Sequence, residues 1–384
     1  MIIGIDATCL EDNNRTGLYT YLMSLLENLP KISPKNEYRL YFKNSIPSIS
    51  FGNSGISTKA LRKPSLFFWT KKPLWYSYCL PKELLINKVD LFFSPSYVLP
   101  RWLPVRSIVC IHDISFEAYP DSFPRDWLSE TRNRIRESAR KASLVVTNSI
   151  FCKREIKKHY NIPEKKIFVI RPGISRHFTS TGVSNSAYQA SLINKKYDIK
   201  KPFIISVGNL YPRRNTPALI KAFKKIGEKI NNYQLVIIGK NQEHGQENVK
   251  KLIARTNKEL SAKRILHYEF VPDEDLEYLF KNADLFVSLS NYEGFGCYSM
   301  LEAMIYGCPV LAVKTSSMPE VIGNAGIYTS HDNIEKISSK IYYAIKNRKL
   351  RKELSIKGAD RIKIFSTKNM AKQFLKASEY VVSN

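Results

Sequence analysis

The sequence predicts two doubly wound, Rossmann-like α/β domains that face a central cleft. Short apolar runs bounded by turn residues alternate with longer amphipathic stretches, a pattern typical of parallel α/β units. The chain has 384 residues, too many for one typical core, and 43% of them are hydrophobic, enough to bury two cores. A largely disordered chain is therefore excluded.

In the first half of the chain, the amphipathic stretches Leu18–Leu29 and Trp127–Ala142 are predicted helices. Six short apolar runs are the predicted strands of this half: Ile2–Asp6, Tyr38–Phe42, Leu91–Ser94, Ser107–Ile111, Leu144–Thr147 and Ile167–Ile170. We place an N-terminal domain at residues 1–180.

The second half repeats this rhythm, with a helix predicted over Pro217–Ile230. Its predicted strands are Phe203–Val207, Leu235–Ile238, Arg264–Tyr268, Leu285–Leu289 and Val310–Ala312. We place a C-terminal domain at residues 181–366.

Two polar stretches are the predicted linker and hinge between the domains. Thr179–Ser186 is rich in Ser, Thr and Gly, and Asn194–Lys201 is basic and polar. A final helix, Lys368–Val381, is predicted within residues 367–384. This helix can pack back on the N-terminal domain.

The charge and the cysteines narrow the class of protein. The formal net charge is +26, spread over both halves, which favours nucleic acid, an anionic lipid surface or phosphorylated substrates without choosing among them. The start MIIGID lacks the features of a signal peptide, and no run of 18 apolar residues is present. The six cysteines show no CxxC pairing, so we expect reduced thiols in a cytoplasmic protein and no zinc site.

The richest motif follows the predicted strand Leu285–Leu289, at the end of the strand where open α/β sheets bind ligands. Glu293 opens the loop Gly294–Gly296, and a predicted helix then carries Glu302. Two glycines let the backbone approach a ligand, and the helix N-terminus favours phosphate. The two glutamates could accept hydrogen bonds from sugar and ribose hydroxyls. A tight turn with solvated glutamates is the alternative.

An arginine pair follows another predicted strand. Arg213 and Arg214 stand in the turn after Phe203–Val207. Two guanidinium groups suit the oxygens of a diphosphate, although such a pair read alone is more often a solvated turn.

Two weaker signals lie in the first half. His112 and Asp113 directly follow a predicted strand, but a lone histidine is more often structural. Thr16 and Gly17 precede a helix after the first strand and could cradle phosphate or contact an acceptor.

One tempting motif is set aside. Asp273, Glu274 and Asp275 match a DxD pattern for a metal-bound nucleotide. The three acids open a predicted helix, where they favour the positive end of its dipole, so helix capping is the preferred interpretation.

Taken together, these segments resemble the retaining glycosyltransferases of family 4, especially bacterial mannosyltransferase-like members of surface-polysaccharide synthesis. The resemblance covers nearly the whole chain, in the family's order: HDISFEAYPDSFPRDW, SLVVTNSIFCKREIKKHYNIPEKKIFVIRPGI, GNLYPRRN, QLVIIGK, FVPDEDLEYLFKNADLFVSLSNYEGFG, LEAMIYGCPVLA and SSMPEVIGNAGIY. Each segment is modest alone, and their order makes the signal strong.

The resemblance implies a GT-B fold with the active site between the domains and specific residues in it. The residues implied for donor binding are Gly17, Gly208, Arg213, Arg214, Phe270, Val271, Glu293, Gly294, Phe295, Gly296 and Glu302. The residues implied for catalysis are His112, Glu293, Arg213 and Arg214. By analogy the arginines hold the diphosphate, Glu302 the ribose, and Glu293 with the glycine loop the sugar. His112 would contact the sugar, Gly17 the phosphate–acceptor region, and Phe270 with Val271 the base.

The resemblance also implies the reaction and its partners. A hexose would pass from a nucleotide-diphosphate sugar to a glycan or lipid-linked saccharide with retention, by front-face attack in which the leaving phosphate takes the acceptor proton. The protein would position the reactants and stabilise charge, with no metal and no cofactor beyond the co-substrate. We expect a peripheral protein on the inner face of an anionic membrane, without nucleic acid.

Three departures from the family pattern bear on this expectation. Eight residues separate Glu293 from Glu302, where the family commonly has seven. The N-terminal loop reads TGLYT, two residues shorter than the usual TGIGRYT and with one glycine fewer. Arg214 replaces the usual lysine and keeps the charge. We expect residues 297–300 to absorb the extra residue as a longer loop or a distorted first turn.

Three other functions stay open at this point. A sugar-nucleotide epimerase would use the same fold, but the EGFG and LEAM segments fit the transferases better. A non-catalytic subunit of this fold is suggested by the shortened loop and the extra residue. A nucleic-acid-binding protein is suggested only by the charge.

A mixed aromatic and basic stretch, residues 61–85, predicts contact with an anionic membrane. The prediction is most specific for Phe67–Lys72. For Trp75–Leu80, packing in the core is the alternative.

Overall fold

The computed structural model describes residues 1–11, 17–49, 51, 55–61, 75–174, 187–200, 202–241, 248–295 and 298–384, without the side chains of 187–190. The chain divides into two compact units. The first comprises Met1–Glu117, Arg125–Ile174 and Phe365–Asn384, and the second comprises Ala118–Pro124 and Ser175–Ile364.

Seven parallel strands form the sheet of the first unit: β1 (Ile2–Asp6), β2 (Glu37–Phe42), β3 (Ile56–Ala60), β4 (Leu91–Ser94), β5 (Ser107–Cys110), β6 (Leu144–Thr147) and β7 (Ile167–Val169). Their order is β3-β2-β1-β4-β5-β6-β7. The chain winds away from the central pair β1 and β4 in opposite directions. This pair is therefore the topological switch point, where open α/β sheets bind ligands.

The helices of the first unit are α1 (Gly17–Leu26), α2 (Leu29–Ile32), α3 (Leu80–Ile86), α4 (Ser115–Ala118), α5 (Arg125–Lys141), α6 (Ile150–Tyr160) and the C-terminal α15 (Thr367–Ser383). A π-helical turn, Trp75–Cys79, precedes α3. The ring of Phe374 on α15 lies 4.6 Å from that of Phe93 on β4. The C-terminal helix is thereby part of the first unit.

Six parallel strands form the sheet of the second unit: β8 (Phe203–Val207), β9 (Gln234–Ile238), β10 (Ile265–Tyr268), β11 (Leu285–Ser288), β12 (Val310–Val313) and β13 (Gly326–Thr329). Their order is β10-β9-β8-β11-β12-β13, which puts the switch point between β8 and β11.

The helices of the second unit are α7 (Ala187–Lys196), α8 (Thr216–Ile226), α9 (Val249–Glu259), α10 (Asp273–Asn282), α11 (Tyr298–Ile305), α12 (Met318–Ile322), α13 (Ile334–Lys346) and α14 (Arg348–Ile362). The apolar stripes of these elements meet in one core: Ile204 on β8, Phe223 on α8 and Ile341 on α13 belong to the same buried cluster. The apolar residues that recur with helical periodicity in the sequence therefore lie on the side of each helix that faces the sheet.

The predicted fold class, two doubly wound α/β domains, is confirmed. Predicted strands and observed strands agree within a residue or so at each end. Two strands were not predicted, β3 and β13. The central residues of β3, Ser57–Lys59, are exposed, so this edge strand lacks the apolar run that marks the others.

Of the two polar stretches that predict a linker and hinge, the structure describes only the second. Thr179–Ser186 lies outside the described residues, and Asn194–Lys196 forms the end of α7. Tyr197 and Ile199 are buried, so residues 194–200 hold both the end of a helix and packed side chains, and the hinge placed there stays a prediction. The first unit ends at Ile174 and resumes at Phe365, compared with expected boundaries after residues 180 and 366.

Other expectations concern cysteines and membranes. Five of the six cysteines are described, and all five are free thiols. No helix in the described ranges is both long enough and apolar enough to cross a bilayer. Phe67–Lys72 lies outside those ranges, whereas Trp75 is buried and its indole N–H donates to Phe42 O over 3.2 Å. Core packing is therefore the role of Trp75.

Candidate active site

The first cluster of polar residues lies at the switch point of the second sheet. Gly208 directly follows β8, and Ser290 and Glu293 follow β11. A main-chain hydrogen bond joins the two segments, because Asn291 N donates to Arg213 O over 2.7 Å. The two motifs singled out in the sequence are therefore neighbours in the fold.

Arg214 and Glu293 form an ion pair at this point. Nε of Arg214 lies 3.1 Å from Oε1 of Glu293, and Ser290 Oγ donates to the same oxygen over 2.8 Å. Glu293 is only 7% exposed. Its main chain is fixed as well, since its N–H donates to Ser316 Oγ (3.1 Å) and its carbonyl accepts from Ser317 Oγ (2.7 Å). A buried carboxylate with these partners is a rigid, charged anchor.

Two glycines make this packing possible. Gly208 has φ of +138°, and a Cβ there would lie 2.8 Å from Nη1 of Arg214. Gly239, which follows β9, has φ of +146°, and its Cβ would lie 2.2 Å from Gly208 O. The strand ends thus approach each other closely, and the guanidinium of Arg214 lies against the backbone.

A methyl group at Gly208 is expected to disturb both features. We predict that Gly208→Ala destabilises the protein by about 1–3 kcal/mol, because φ is positive there, and weakens nucleotide binding about tenfold by displacing Arg214. Chemical denaturation and calorimetric titration measure the two effects. Gly358→Ala on α14 is the matched control, since the nearest atom to its Cβ would be at 3.4 Å. Equal effects of the two substitutions would contradict this role of Gly208.

Arg213 is held differently from its neighbour. Both arginines end the 3-10 turn Pro212–Arg214 and are half-buried. The guanidinium carbon of Arg213 lies 4.7 Å from the centroid of the Tyr211 ring, a cation–π contact. The ring leaves the donors at the rim of the guanidinium available to a ligand.

Glu302 lies in the second turn of α11. Burial raises the pKa of its carboxyl to about 7, and the negative charge of Asp273 on α10 adds to the rise. A carboxyl that is costly to ionise is suited to a partner that donates hydrogen bonds to the charged form, as paired hydroxyls do.

The residues that follow β10 divide by exposure. Phe270 is 72% exposed, so its ring is a free apolar surface beside the strand end, whereas Val271 is buried in the core. Phe295 is also buried. Gly294 is buried with it, and Gly296 lies outside the described residues.

The acidic triplet 273–275 occupies the first turn of α10, as predicted. The residue before the helix is Pro272, which makes no side-chain cap, and the three acids lie where they favour the positive end of the helix dipole. Asp275 accepts hydrogen bonds from Lys196 Nζ and Tyr197 Oη, both at 2.6 Å, which ties α10 to α7.

His112 belongs to the first unit, two residues beyond β5. Its Nε2 lies 2.8 Å from Pro95 O, and its Nδ1 lies 2.9 Å from Nδ2 of Asn148. Because a carbonyl oxygen can only accept, Nε2 carries a proton. Burial lowers the pKa of His112, which favours the neutral ring with Nδ1 as an acceptor. Both ring nitrogens are therefore occupied within this unit.

Sequence reasoning missed a second polar cluster, at the switch point of the first sheet. Asp6 ends β1 and is fully buried, and it accepts hydrogen bonds from Thr8 N (3.0 Å), Thr8 Oγ1 (2.7 Å) and Tyr76 Oη. Burial raises the pKa of Asp6. A charged residue that closes an otherwise apolar strand was the available signal. Gly17 begins α1 and is exposed, and the preceding residues 12–16 lie outside the described part of the chain.

Two family models match this chain. The model for Glycosyltransferase Family 4 matches residues 48–178, and the model for Glycosyl transferases group 1 matches residues 191–361. Together the matches take in most of both units. The chain is a glycosyltransferase. The resemblance inferred from the motifs is therefore confirmed.

Curated relatives of this glycosyltransferase include enzymes of O-antigen synthesis. The O-antigen chain mannosyltransferase B of Escherichia coli is 28% identical over 377 residues, which cover 94% of this chain and 95% of that protein. The O-antigen chain mannosyltransferase RfbU of Salmonella typhimurium is 29% identical over 269 residues, which cover 69% of this chain and 68% of that protein.

Solved structures show the same fold. Sucrose-phosphate synthase from Thermosynechococcus elongatus has a TM-score of 0.74 at 15% identity, covering 100% of this chain and 99% of its own. Anabaena HepE in complex with UDP and glucose has a TM-score of 0.70 at 16% identity, covering 99% of each chain. The two units of this glycosyltransferase are thus those of the GT-B fold.

The structure also bears on the extra residue of this glycosyltransferase. Helix α11 is continuous from Tyr298, so residues 298–300 are helical and do not form a longer loop. Residues 296 and 297 lie outside the described ranges.

Proposed function

We propose that this glycosyltransferase moves a hexose from a nucleotide-diphosphate sugar to a glycan or lipid-linked saccharide with retention, in the synthesis of a surface polysaccharide or glycoconjugate. The observation that carries the proposal is the ion pair of Arg214 and Glu293, fixed at the switch point of the second sheet. The names of the relatives support the acceptor class, since two of them are O-antigen chain mannosyltransferases.

The donor side of the proposal follows from charge and exposure. Arg213 and Arg214 bind the diphosphate, which offers several pairs of acceptor oxygens to two guanidinium groups. The Glu302 carboxylate accepts hydrogen bonds from the ribose hydroxyls, and the exposed ring of Phe270 contacts the base. Glu293 binds the sugar hydroxyls through its second carboxylate oxygen, Oε2.

The transfer step is proposed to proceed on one face of the sugar. The bond between the anomeric carbon and the diphosphate oxygen breaks, and the acceptor oxygen forms a bond to the same carbon from the same side. The acceptor proton passes to the departing diphosphate, whose added negative charge is stabilised by Arg213 and Arg214. No covalent intermediate with the protein is formed.

His112 has a positioning role in this proposal. Its ring is neutral and both nitrogens are occupied by Pro95 and Asn148, so it neither removes nor supplies a proton. It presents a fixed surface of the first unit to the sugar.

A screen of nucleotide sugars followed by product analysis tests the proposal. Binding to the native state raises the unfolding temperature, so one donor class is expected to stand out in thermal shift. Proton NMR of the product is then expected to show the anomeric configuration of the donor. An inverted product would contradict retention, and release of an epimerised sugar nucleotide without acceptor would contradict transfer.

Transfer is expected to proceed without a divalent metal, because two arginines can neutralise the diphosphate. Activity measured with excess EDTA should therefore equal activity in its absence. The control is the same protein, passed over chelating resin and assayed with added Mg²⁺ or Mn²⁺. Complete loss with EDTA that either metal restores would refute this and make Asp273 and Asp275 candidate ligands.

A further inference from the structure

The first unit holds a cavity that none of the donor residues lines. Its volume is about 280 Å³, near the lower limit of about 300–1,000 Å³ typical of small-molecule pockets, so it suits a single small group. One wall is a face of α5, where Glu130, Arg134, Glu137 and Lys141 are spaced by three or four residues. The rest of the lining is made by residues 76–77 and 99–101.

Hydrogen bonds hold these walls together. The buried hydroxyl of Ser138 accepts from Leu99 N (2.9 Å) and donates to Arg134 O (2.7 Å). Lys141 Nζ donates to Arg101 O over 2.7 Å. The cavity is therefore bounded by a loop that is fixed to the helix, which limits the conformational cost of filling it.

Tyr76, in the part of the lining outside α5, connects the cavity to the switch point of the first sheet. Tyr76 lines the cavity, and its hydroxyl donates to the carboxylate of Asp6 at the end of β1. Ligands of open α/β sheets bind outside the carboxyl ends of the strands at such a point. One residue of the cavity lining is thus hydrogen-bonded to the strand end where a substrate of the first unit is expected.

The lining charges identify the ligand class. Two guanidinium groups and an ammonium group, from Arg101, Arg134 and Lys141, stand with the carboxylates of Glu130 and Glu137. An anion would meet the two carboxylates, and a cation would meet the three positive groups. A neutral polyhydroxylated ligand suits both signs, because each hydroxyl donates to carboxylates and accepts from guanidinium and ammonium groups.

The guanidinium of Arg134 is held only weakly by its neighbour Glu130 and can turn to a ligand. The ion pair of Arg134 Nη1 with Glu130 Oε1 spans 3.7 Å, and the two side chains are 39% and 76% exposed. Such a long, solvated pair is weak compared with charge-assisted bonds at about 2.7–2.9 Å. A sugar hydroxyl can therefore insert between the two groups.

We propose that this cavity binds one neutral sugar unit of the acceptor, away from the hydroxyl that reacts. The inference rests on the proposed function, since it assigns the acceptor to the first unit, and it adds a binding site for the part of the glycan that is not modified. The site would favour acceptors long enough to reach it.

Saccharide binding to single variants tests this site. We would titrate trisaccharides of mannose, glucose, galactose and N-acetylglucosamine into the wild-type chain, Arg134→Ala, Glu137→Ala and Arg140→Ala. Arg140 is on the same helix outside the cavity lining, which makes it the matched control. At least one trisaccharide is expected to bind wild type and Arg140→Ala alike and to bind the other two about tenfold more weakly.

Three results would contradict a sugar site or replace it by an anion site. Absence of binding by all four trisaccharides, or equal affinity in all four proteins, would overturn the proposal. Binding of inorganic phosphate that Arg134→Ala abolishes, without saccharide binding, would make this an anion site instead. Glu137 is exposed, so Glu137→Ala keeps the test valid if Arg134→Ala unfolds. Nucleotide titration of the same proteins reports on the donor site separately, so failure of the proposed function is distinguishable.

Discussion

Replacement of Arg214 by alanine is expected to lower kcat/KM for the nucleotide sugar by about 10²–10³. The substitution removes a guanidinium from the diphosphate at the moment when its charge grows. It also leaves the carboxylate of Glu293, which is 7% exposed, without its cationic partner. Loss of one member of a buried ion pair destabilises proteins by about 3–5 kcal/mol, so the unfolding free energy should fall as well.

Arg213→Ala is the control for this prediction, because Arg213 contacts the Tyr211 ring instead of a carboxylate. We expect it to weaken donor binding with little change in the free energy of unfolding. Steady-state kinetics and chemical denaturation of both variants measure the difference. If Arg214→Ala left stability unchanged, the ion pair with Glu293 would not have the structural role assigned here.

The second large effect concerns the pH dependence caused by Glu302. Its pKa is about 7 in the native state, compared with 4.5 for an unperturbed glutamic acid, so the native state binds this proton more tightly than the unfolded state does. Stability therefore falls as the pH rises from about 4.5 to 7 and is level above that, with a total loss of up to roughly 3 kcal/mol. Glu302→Gln has no such carboxyl to ionise. The free energy of unfolding of this variant, relative to wild type, should therefore increase from pH 4.5 to pH 7.

Donor affinity should change in the opposite direction. The ribose hydroxyls donate to the ionised carboxyl, so the dissociation constant of the donor is expected to fall between pH 6 and 8 in wild type and to stay level in Glu302→Gln. Asp273→Asn removes the negative charge that helps to raise the pKa, so it should move the midpoint of this change to lower pH. A wild-type profile without pH dependence, or an unmoved midpoint in Asp273→Asn, would contradict the account of Glu302.

The sequence was most informative about buried parallel strands. β1, β4, β6 and β8 were predicted with the observed bounds, because strands covered on both faces are continuous apolar runs. β3 was missed, since its sequence ISTKA presents a polar centre to solvent. The polar composition of the stretch after α7 does not reveal that Tyr197 and Ile199 are buried.

For the candidate site, the sequence supplied the residues and the structure supplied their partners. Placement of Arg214 and Glu293 after strands predicted that each could meet a ligand, but the ion pair between them depends on the order of β8 and β11 in the sheet. The raised pKa of Glu302 depends on burial in α11 and on Asp273 from another helix, neither of which a linear motif contains. The hydrogen bond between Asp6 and Tyr76 joins residues far apart in the chain, and no spacing rule could have found it.

The central claim is that the carboxyl edge of the second sheet binds the nucleotide part of the donor. A crystal structure of the chain with a bound nucleoside diphosphate tests it most directly. The account predicts the diphosphate on the guanidinium groups of Arg213 and Arg214 and the ribose hydroxyls on the carboxylate of Glu302. A nucleotide bound to the first unit, or a ribose that points away from Glu302, would contradict it.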